Sequence, residues 1–421
     1  MRIPRILHID ADSFFASCET VLNPRLQGQP VYVGGGRNGD GIVIASNYEA
    51  KKYGLKIGMA CFEARRLCPH GILCRPHYSE YRRLSLEMFR LLRRFTPMLV
   101  PISIDEGFMD MDQMDRVFRC RNLSELAHQI KKRVHDEIGL PITMGIGCSK
   151  LCAKLVTDCS KPDGLREIPP NGEAEFLAPH AVEKLSGIGR RRQRALKAFG
   201  IETFADVFHT PRRQLEKRLG WIGTQLWLLA HGLYREKLTH ENDVRTCISN
   251  NTTLARDESD YDKALLFLHT QTEKILLTLF RENLKAWEMS VAVRFNDFSE
   301  ESVQLKFTTP QFELSPINRA VERLFTRCVH GQSLPVRQVR IAFWNLTPLN
   351  LEPDLFGNPP ELKRHDLDRA RRKIEENFGQ DAIISGTRLL LEQQGKSLRH
   401  DKVKCPFVPA REMAEKLGKL E

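Results

Sequence analysis

The chain has 421 residues, 41% of them hydrophobic and 28% charged, a composition that supports several cored domains and excludes a largely disordered polymer. Lys and Arg outnumber Asp and Glu by 64 to 53, a formal charge of +11, which favours a polyanionic partner without identifying one. No stretch approaches the roughly 18 apolar residues of a membrane span, the N-terminus lacks a signal-peptide pattern, and eleven cysteines without a C-x-x-C pair suit reduced thiols. A cytoplasmic protein with no membrane partner is the expectation.

In chain order, "RILHIDAD" reads as a buried strand and "SFFASCETVL" as a helix with Asp12 as its N-cap, broken at Asn23-Pro24. "PVYVGGG" and "GIVIASN" are short β-rich runs. "YEAKKYGLKIGMACFEARRLCP" is helix, turn and helix, and "SEYRRLSLEMFRLLRRF" is an amphipathic helix closed by Thr96-Pro97. "LVPISIDEGFMDM" gives two strand-like runs around Asp105 and Glu106. "LSELAHQIKKRVHDEIG" is a helix capped by Ser124, "PITMGIGCS" a strand, and "KLCAKLVTDCSKPDG" a helix ending in a Pro-Gly turn. Residues 1 to about 170 therefore read as an α+β sheet domain with a small insertion.

From about 171 the texture becomes helical with short glycine turns. A polar connector, "EKLTHENDVRT", leads to a second α+β domain at about 245–346. Its strands lie in "SNNTTLA", "WEMSVAVRF", "SVQLKFT" and "QVRIAFW", with helices near 260–284 and 316–329. The tail after 347 is Pro- and charge-rich with one helix, "DLDRARRKIEENFG".

Chemistry concentrates where the first strand ends. Asp10 closes it, and Asp105-Glu106 lies between two further strand-like runs about ninety-five residues on. Taken alone, each acid reads equally as a strand cap or an arginine partner. If the strands are neighbours, three carboxylates meet at one edge and need a divalent cation, with oxygen-only ligands suiting Mg²⁺. The helix that begins at Asp12 points its first N–H groups, near Phe14 and Phe15, where a triphosphate can lie.

"HIDADSFFASCE", "ASNYEAKKYGLKIGM", "ISIDEGFMD", "GIGCSKLCAKLVTDCSKPDG" and "LSGIGRRRQRALKAFGI" together resemble the Y-family (DinB/UmuC type) translesion DNA polymerases, in family order across roughly residues 5–345. The resemblance implies a multidomain α+β right hand: a ferredoxin-like palm (1–19 and 76–170), small fingers (20–75), a helical helix-hairpin-helix thumb (171–236), a linker (237–246), an α+β little finger (247–346) and a C-terminal tail (347–421). It implies two Mg²⁺ ions, replaceable by Mn²⁺, on Asp10, the Ala11 carbonyl, Asp105 and Glu106, with Asp12 only structural. Phe15 falls at the steric gate that rejects a 2′-hydroxyl, while Phe14 suits the core. Tyr48, Lys51 and Lys161 match the triphosphate-binding set, although arginine is more usual at Lys51 and the lysine lacks its bidentate fork. Ile42 and Ile44 match the roof over the nascent base pair. The implied partners are primer-template DNA and dNTP, for a monomeric enzyme without proofreading.

Gly187, Gly189, Arg190 and Arg191, with Arg192, form the hairpin expected to take DNA phosphate, and Lys150 and Lys154 are candidates for the duplex wall. Asp354, Leu355 and Phe356 in "EPDLFG" match part of a sliding-clamp peptide, whereas Glu352 and Pro353 depart from it. Two patterns are decoys. "GGGRNG" has dinucleotide-fingerprint spacing but is followed by a strand. Cys61, Cys68, His70, Cys74 and His77 fit no common zinc spacing. A catalytically silent clamp and DNA adaptor would not need the three acids, and a palm-type nucleotide cyclase would not need the hairpin or little finger.

Overall fold

The computed structural model describes residues 3–35, 41–238 and 245–349, together with Ala370 and Ile374. These fall into two compact units that divide between 238 and 245. The clamp candidates Asp354, Leu355 and Phe356 lie outside the described residues.

The first unit opens with β1 (Ile6–Ala11), α1 (Phe14–Leu22), β2 (Val31–Gly34), β3 (Val43–Ser46), α2 (Tyr48–Lys51), α3 (Cys61–Leu67) and β4 (Ile72–Cys74). It continues with α4 (Tyr78–Arg93), β5 (Leu99–Pro101), β6 (Glu106–Asp110), α5 (Met114–Val117), α6 (Leu123–Ile138), β7 (Ile142–Gly147), α7 (Lys150–Ser160) and β8 (Leu165–Glu167). A five-stranded sheet in the order β5-β6-β1-β7-β8 forms the palm, with β1 central and antiparallel to both neighbours. The fingers carry a separate three-stranded sheet, β3-β2-β4.

Every residue of β1 and β7 is buried, because helices cover both faces of the palm sheet. The alternation of β1 divides its side chains. Leu7, Ile9 and Ala11 join the core shared with α1, α4 and α6, whereas Ile6 and His8 face α7. Gly145, paired with His8, lets α7 lie directly on the sheet: a Cβ there would meet the Ala153 carbonyl oxygen at 2.5 Å and the Thr157 nitrogen at 2.6 Å.

The thumb follows as α8 (Glu173–Leu177), α9 (Arg190–Lys197), α10 (Phe204–His209), α11 (Arg212–Leu219) and α12 (Trp221–Ala230), packed around Leu177, Leu196, Phe204 and Leu226. The segment before its hairpin is a short 3-10 turn, Val182–Lys184.

The second unit comprises β9 (Cys247–Glu258), α13 (Tyr261–Arg281), β10 (Leu284–Phe295), β11 (Glu300–Gln311), α14 (Leu314–Val329) and β12 (Val336–Pro348). Its antiparallel sheet runs β11-β10-β12-β9 and buries one face against both helices.

Two helix caps differ from the sequence reading. α6 is capped by Asn122, whose side chain accepts from the Glu125 N–H at 2.9 Å. Ser124 is already inside that helix and instead donates to Glu167 at 2.5 Å. Asp12 does not cap α1 either: Ser13, in the left-handed region at φ 48°, is the boundary residue and makes no side-chain cap bond.

Candidate active site

Antiparallel pairing places Asp10 directly opposite Glu106, and the Ala11 N–H donates to the Asp105 carbonyl at 2.9 Å. The three acids that sequence separates by some ninety-five residues thus share the end of two adjacent strands. Ser103 holds the junction: its hydroxyl donates to the Asp105 carboxylate and accepts from the Glu106 N–H at 3.1 Å.

Their electrostatics diverge. Burial, reinforced by repulsion from Asp105 and Glu106 and opposed by Lys161, pushes Asp10 up to about 6. Burial also raises Asp105, against the pull of Ser103. Glu106 goes the other way, to about 2, because its contacts with His8 and Lys154 outweigh its burial. Two lysines neutralise the edge: Lys161 Nζ lies 2.7 Å from Asp10, and Lys154 Nζ 2.5 Å from Glu106 Oε2.

As they stand, no three acidic, histidine or cysteine side chains among the described residues converge enough to hold one ion. The donor set nevertheless fits hard divalent cations. It offers only oxygens, it is desolvated, and its acids raise one another's proton affinity in a way that a cation relieves.

The nucleotide-facing candidates gather beside this edge. Lys51 Nζ donates to the Ser13 hydroxyl at 2.9 Å and lies 4.1 Å from the centre of the Tyr48 ring. Burial, with the nearby charge of Lys161, lowers its proton affinity. Burial opposes the charge of Lys161 too, but Asp10 and Asp158 carry that group above the ordinary lysine value. Asp12 ties the group together as an acceptor, taking Thr143 Oγ1 and the Asp163 N–H at 2.8 Å each and the Tyr48 hydroxyl at 3.4 Å. Its structural role therefore spans β1, β7, α2 and the turn after α7.

The two phenylalanines take different environments. Phe14 is buried in the palm core, and half-buried Phe15 stacks on Tyr81 with centroids 4.7 Å apart. Ile42 is 55% exposed just before β3, while Ile44 packs partly against the palm core. Gly187 (φ +94°), Gly189, Arg190 and Arg191 are all exposed at the start of α9, and Arg192 braces the hairpin by donating to the Gly187 carbonyl at 2.5 Å.

Both lysines proposed for the duplex wall are ion-paired: Lys154 holds Glu106, and Lys150 pairs with Glu236 at 3.1 Å. Cys61 and Cys68 are buried core residues of the fingers. Sequence reasoning missed His8, Ser103, Thr143 and Asp163. His8 was findable, being a polar residue two positions before Asp10 and hence on the same face of an otherwise apolar strand. The others depend on register and turn geometry.

Residues 9–158 match the impB/mucB/samB family, and residues 245–353 match the impB/mucB/samB family C-terminal domain. The chain belongs to the Y-family (DinB/UmuC type) of DNA polymerases. Its relatives include DNA polymerase IV of Moorella thermoacetica, 33% identical over 90% of this chain and 94% of the relative, and DNA polymerase IV 1 of Bacillus subtilis, 30% identical over 94% and 96%. Among solved structures, a Y-family DNA polymerase chimera of Dbh and Dpo4 is 26% identical, with a TM-score of 0.70 over 82% of this chain and 99% of that one. An insertion ternary complex of Dbh DNA polymerase gives 27% and a TM-score of 0.55 over 82% and 100%. The palm, fingers, thumb and little-finger architecture follows from these likenesses.

Proposed function

We propose that the protein adds dNTPs to a DNA primer 3′-hydroxyl under template direction, releasing pyrophosphate, and copies damaged template at low fidelity without proofreading. The observation that carries this reading is the pairing of Asp10 with Glu106 beside two lysines, Lys161 on Asp10 and Lys51 on Ser13. The names of the relatives support the same chemistry.

Two Mg²⁺ ions, or Mn²⁺ in their place, would be held by Asp10, the Ala11 carbonyl, Asp105 and Glu106, and when bound supply charge neutralisation at the attacking hydroxyl and the leaving pyrophosphate. The chain's own residues do the rest. Lys161 exchanges Asp10 for the triphosphate, and Lys51 exchanges Ser13 for it, so each cation is delivered from a position it already occupies. Tyr48 orients the same phosphates while its hydroxyl remains near Asp12. Phe15, backed by Tyr81, presents a fixed ring to the sugar, and Ile42 with Ile44 covers the base pair. The Gly187–Arg191 hairpin grips duplex phosphate, a contact that salt weakens. Asp354, Leu355 and Phe356 are the segment for a sliding clamp, and the enzyme works as a monomer in the cytoplasm.

Primer extension tests the reading. Wild type should extend a primer with Mg²⁺, Asp105→Ala plus Glu106→Ala should not, and Phe15→Ala should extend while admitting ribonucleotides. Extension by the double variant would remove the acids from the chemistry, and unchanged sugar discrimination would remove Phe15 from the gate.

A further inference from the structure

His8 is fully buried in the centre of the palm sheet, where a polar ring needs a reason to be. Its neighbours supply one. Nδ1 lies 3.1 Å from Thr157 Oγ1 on α7, and the ring packs on Phe108 with centroids 4.7 Å apart. Nε2 has no hydrogen-bond partner among the described residues, yet it faces Glu106 Oε2 at 3.6 Å, just beyond hydrogen-bond length. Lys154 takes the same oxygen, and Glu106 Oε1 has no protein partner among the described residues.

The tautomer decides what this arrangement does. If Nδ1 carried the proton, Nε2 would turn a lone pair toward a carboxylate oxygen, two acceptors in a dry site. If Nε2 carries it, the imidazole donates to Glu106, and Nδ1 accepts from Thr157. The Thr157 hydroxyl can supply that proton, since its other acceptors are the Ala153 and His8 carbonyls at 3.0 and 3.3 Å, both in reach of other donors. Gly145 makes the contact possible by letting α7 approach His8 this closely.

We infer that His8 is a positioning residue: held as the Nε2–H tautomer by Thr157, it fixes the Glu106 carboxylate through Oε2 and leaves Oε1 free to meet a cation. The inference rests on the proposed role of Glu106, but the state of the ring does not. His8 acts on Glu106 as an outer-sphere histidine or carboxylate acts on a metal ligand, where substitution typically costs about 10- to 100-fold.

Two measurements test it. In wild-type protein labelled with ¹⁵N-histidine and kept metal-free with EDTA, the resonances that vanish in His8→Phe should report an Nε2–H tautomer, and an Nδ1–H tautomer would overturn the proposal. In kinetics, His8→Phe keeps the ring's volume and its packing on Phe108 but donates nothing. It should lower kcat about tenfold, raise the Mn²⁺ concentration giving half-maximal relaxation enhancement, and leave the KM for dNTP unchanged. His8→Gln, which can donate to Glu106, should recover part of kcat. If His8→Phe unfolds, Thr157→Val serves instead, since it removes only the hydroxyl that fixes the tautomer. Unchanged kcat and Mn²⁺ binding in every variant would refute a positioning role. Should Glu106→Ala prove fully active, the active-site reading fails even where the tautomer is as expected.

Discussion

The palm and little-finger sheets are both antiparallel about a central strand, but they treat their second faces in opposite ways. In the palm, β1 and β7 are buried on both sides, and polar groups enter only where something specific holds them, such as His8 on Thr157 or Asp12 on Thr143. In the little finger, β11 alternates: Val303, Leu305 and Phe307 turn to the helices, while Ser302, Gln304, Lys306 and Thr308 are exposed. Strand register sets Ser290, Arg340, Ser249 and Asn251 on that same open face. The difference teaches what each sheet is for. Under the proposed function, the closed palm sheet suits groups that must be held to within fractions of an ångström, and the open polar face suits contact with a phosphate backbone of any sequence.

The largest expected effect breaks the closed sheet. Gly145→Ala drives a methyl group into the backbone of α7, and overpacking of this kind costs about 1–3 kcal/mol. Because α7 carries Thr157, Lys154 and the turn to Lys161, extension should fall as well. Ser302→Val adds more volume, but on the open face, and should change stability by no more than about 0.5 kcal/mol. Urea denaturation of both variants makes the comparison, and equal losses would mean that the two sheets are not packed differently.

A pH dependence follows at the palm edge. In metal-free protein Asp10 holds its proton up to about 6 against an ordinary value of 3.8. Below pH about 4 the residue is protonated folded or unfolded, and its stabilising contribution is complete. As pH rises toward 6 the unfolded chain ionises first, so the contribution is lost, by roughly 3 kcal/mol for two pH units. Asp10→Asn should therefore flatten the stability profile measured in EDTA between pH 4 and 6, and parallel profiles for variant and wild type would contradict the assignment. Glu106 runs in the opposite sense, losing its contribution as pH falls through 4.5 toward 2, so it overlaps only the acid end of this window.

How much of this was legible follows the same division. Strands and helices with strong periodicity, such as β1, α4 and α14, stand where hydrophobic spacing puts them. That the acids meet at one sheet edge was readable because a strand ending in carboxylates is unusual. Cross-chain latches were not readable. Asp12 looked like an N-cap because local rules see only its neighbours, whereas its two shortest contacts, to Thr143 and Asp163, come from more than 130 positions away. Ser124 lost to Asn122 for a related reason: several polar residues compete at a helix start, and only the fold decides which one faces Glu167. Lys150 and Lys154 read as surface cations because pairing with Glu236 and Glu106 exists only once α7 lies on the sheet.

The smallest effect probes the open face. Its arginines are partly engaged, since Glu300 holds both Arg294 at 2.7 Å and Arg340 at 2.6 Å. Lys306 stands apart from that cluster, and Glu288, its cross-strand neighbour, is taken by Asn345 at 2.7 Å. Lys306 therefore tests whether this face meets phosphate. Replacing it with alanine removes one counterion-releasing contact, so the slope of log affinity for primer-template against log salt should fall by about 0.9. Stability should stay within about 0.5 kcal/mol, because the side chain is exposed. An unchanged slope with unchanged stability would take Lys306 out of the DNA path. A changed stability would mean that this face is packed, and the contrast with the palm would then fail at the point where it is easiest to measure.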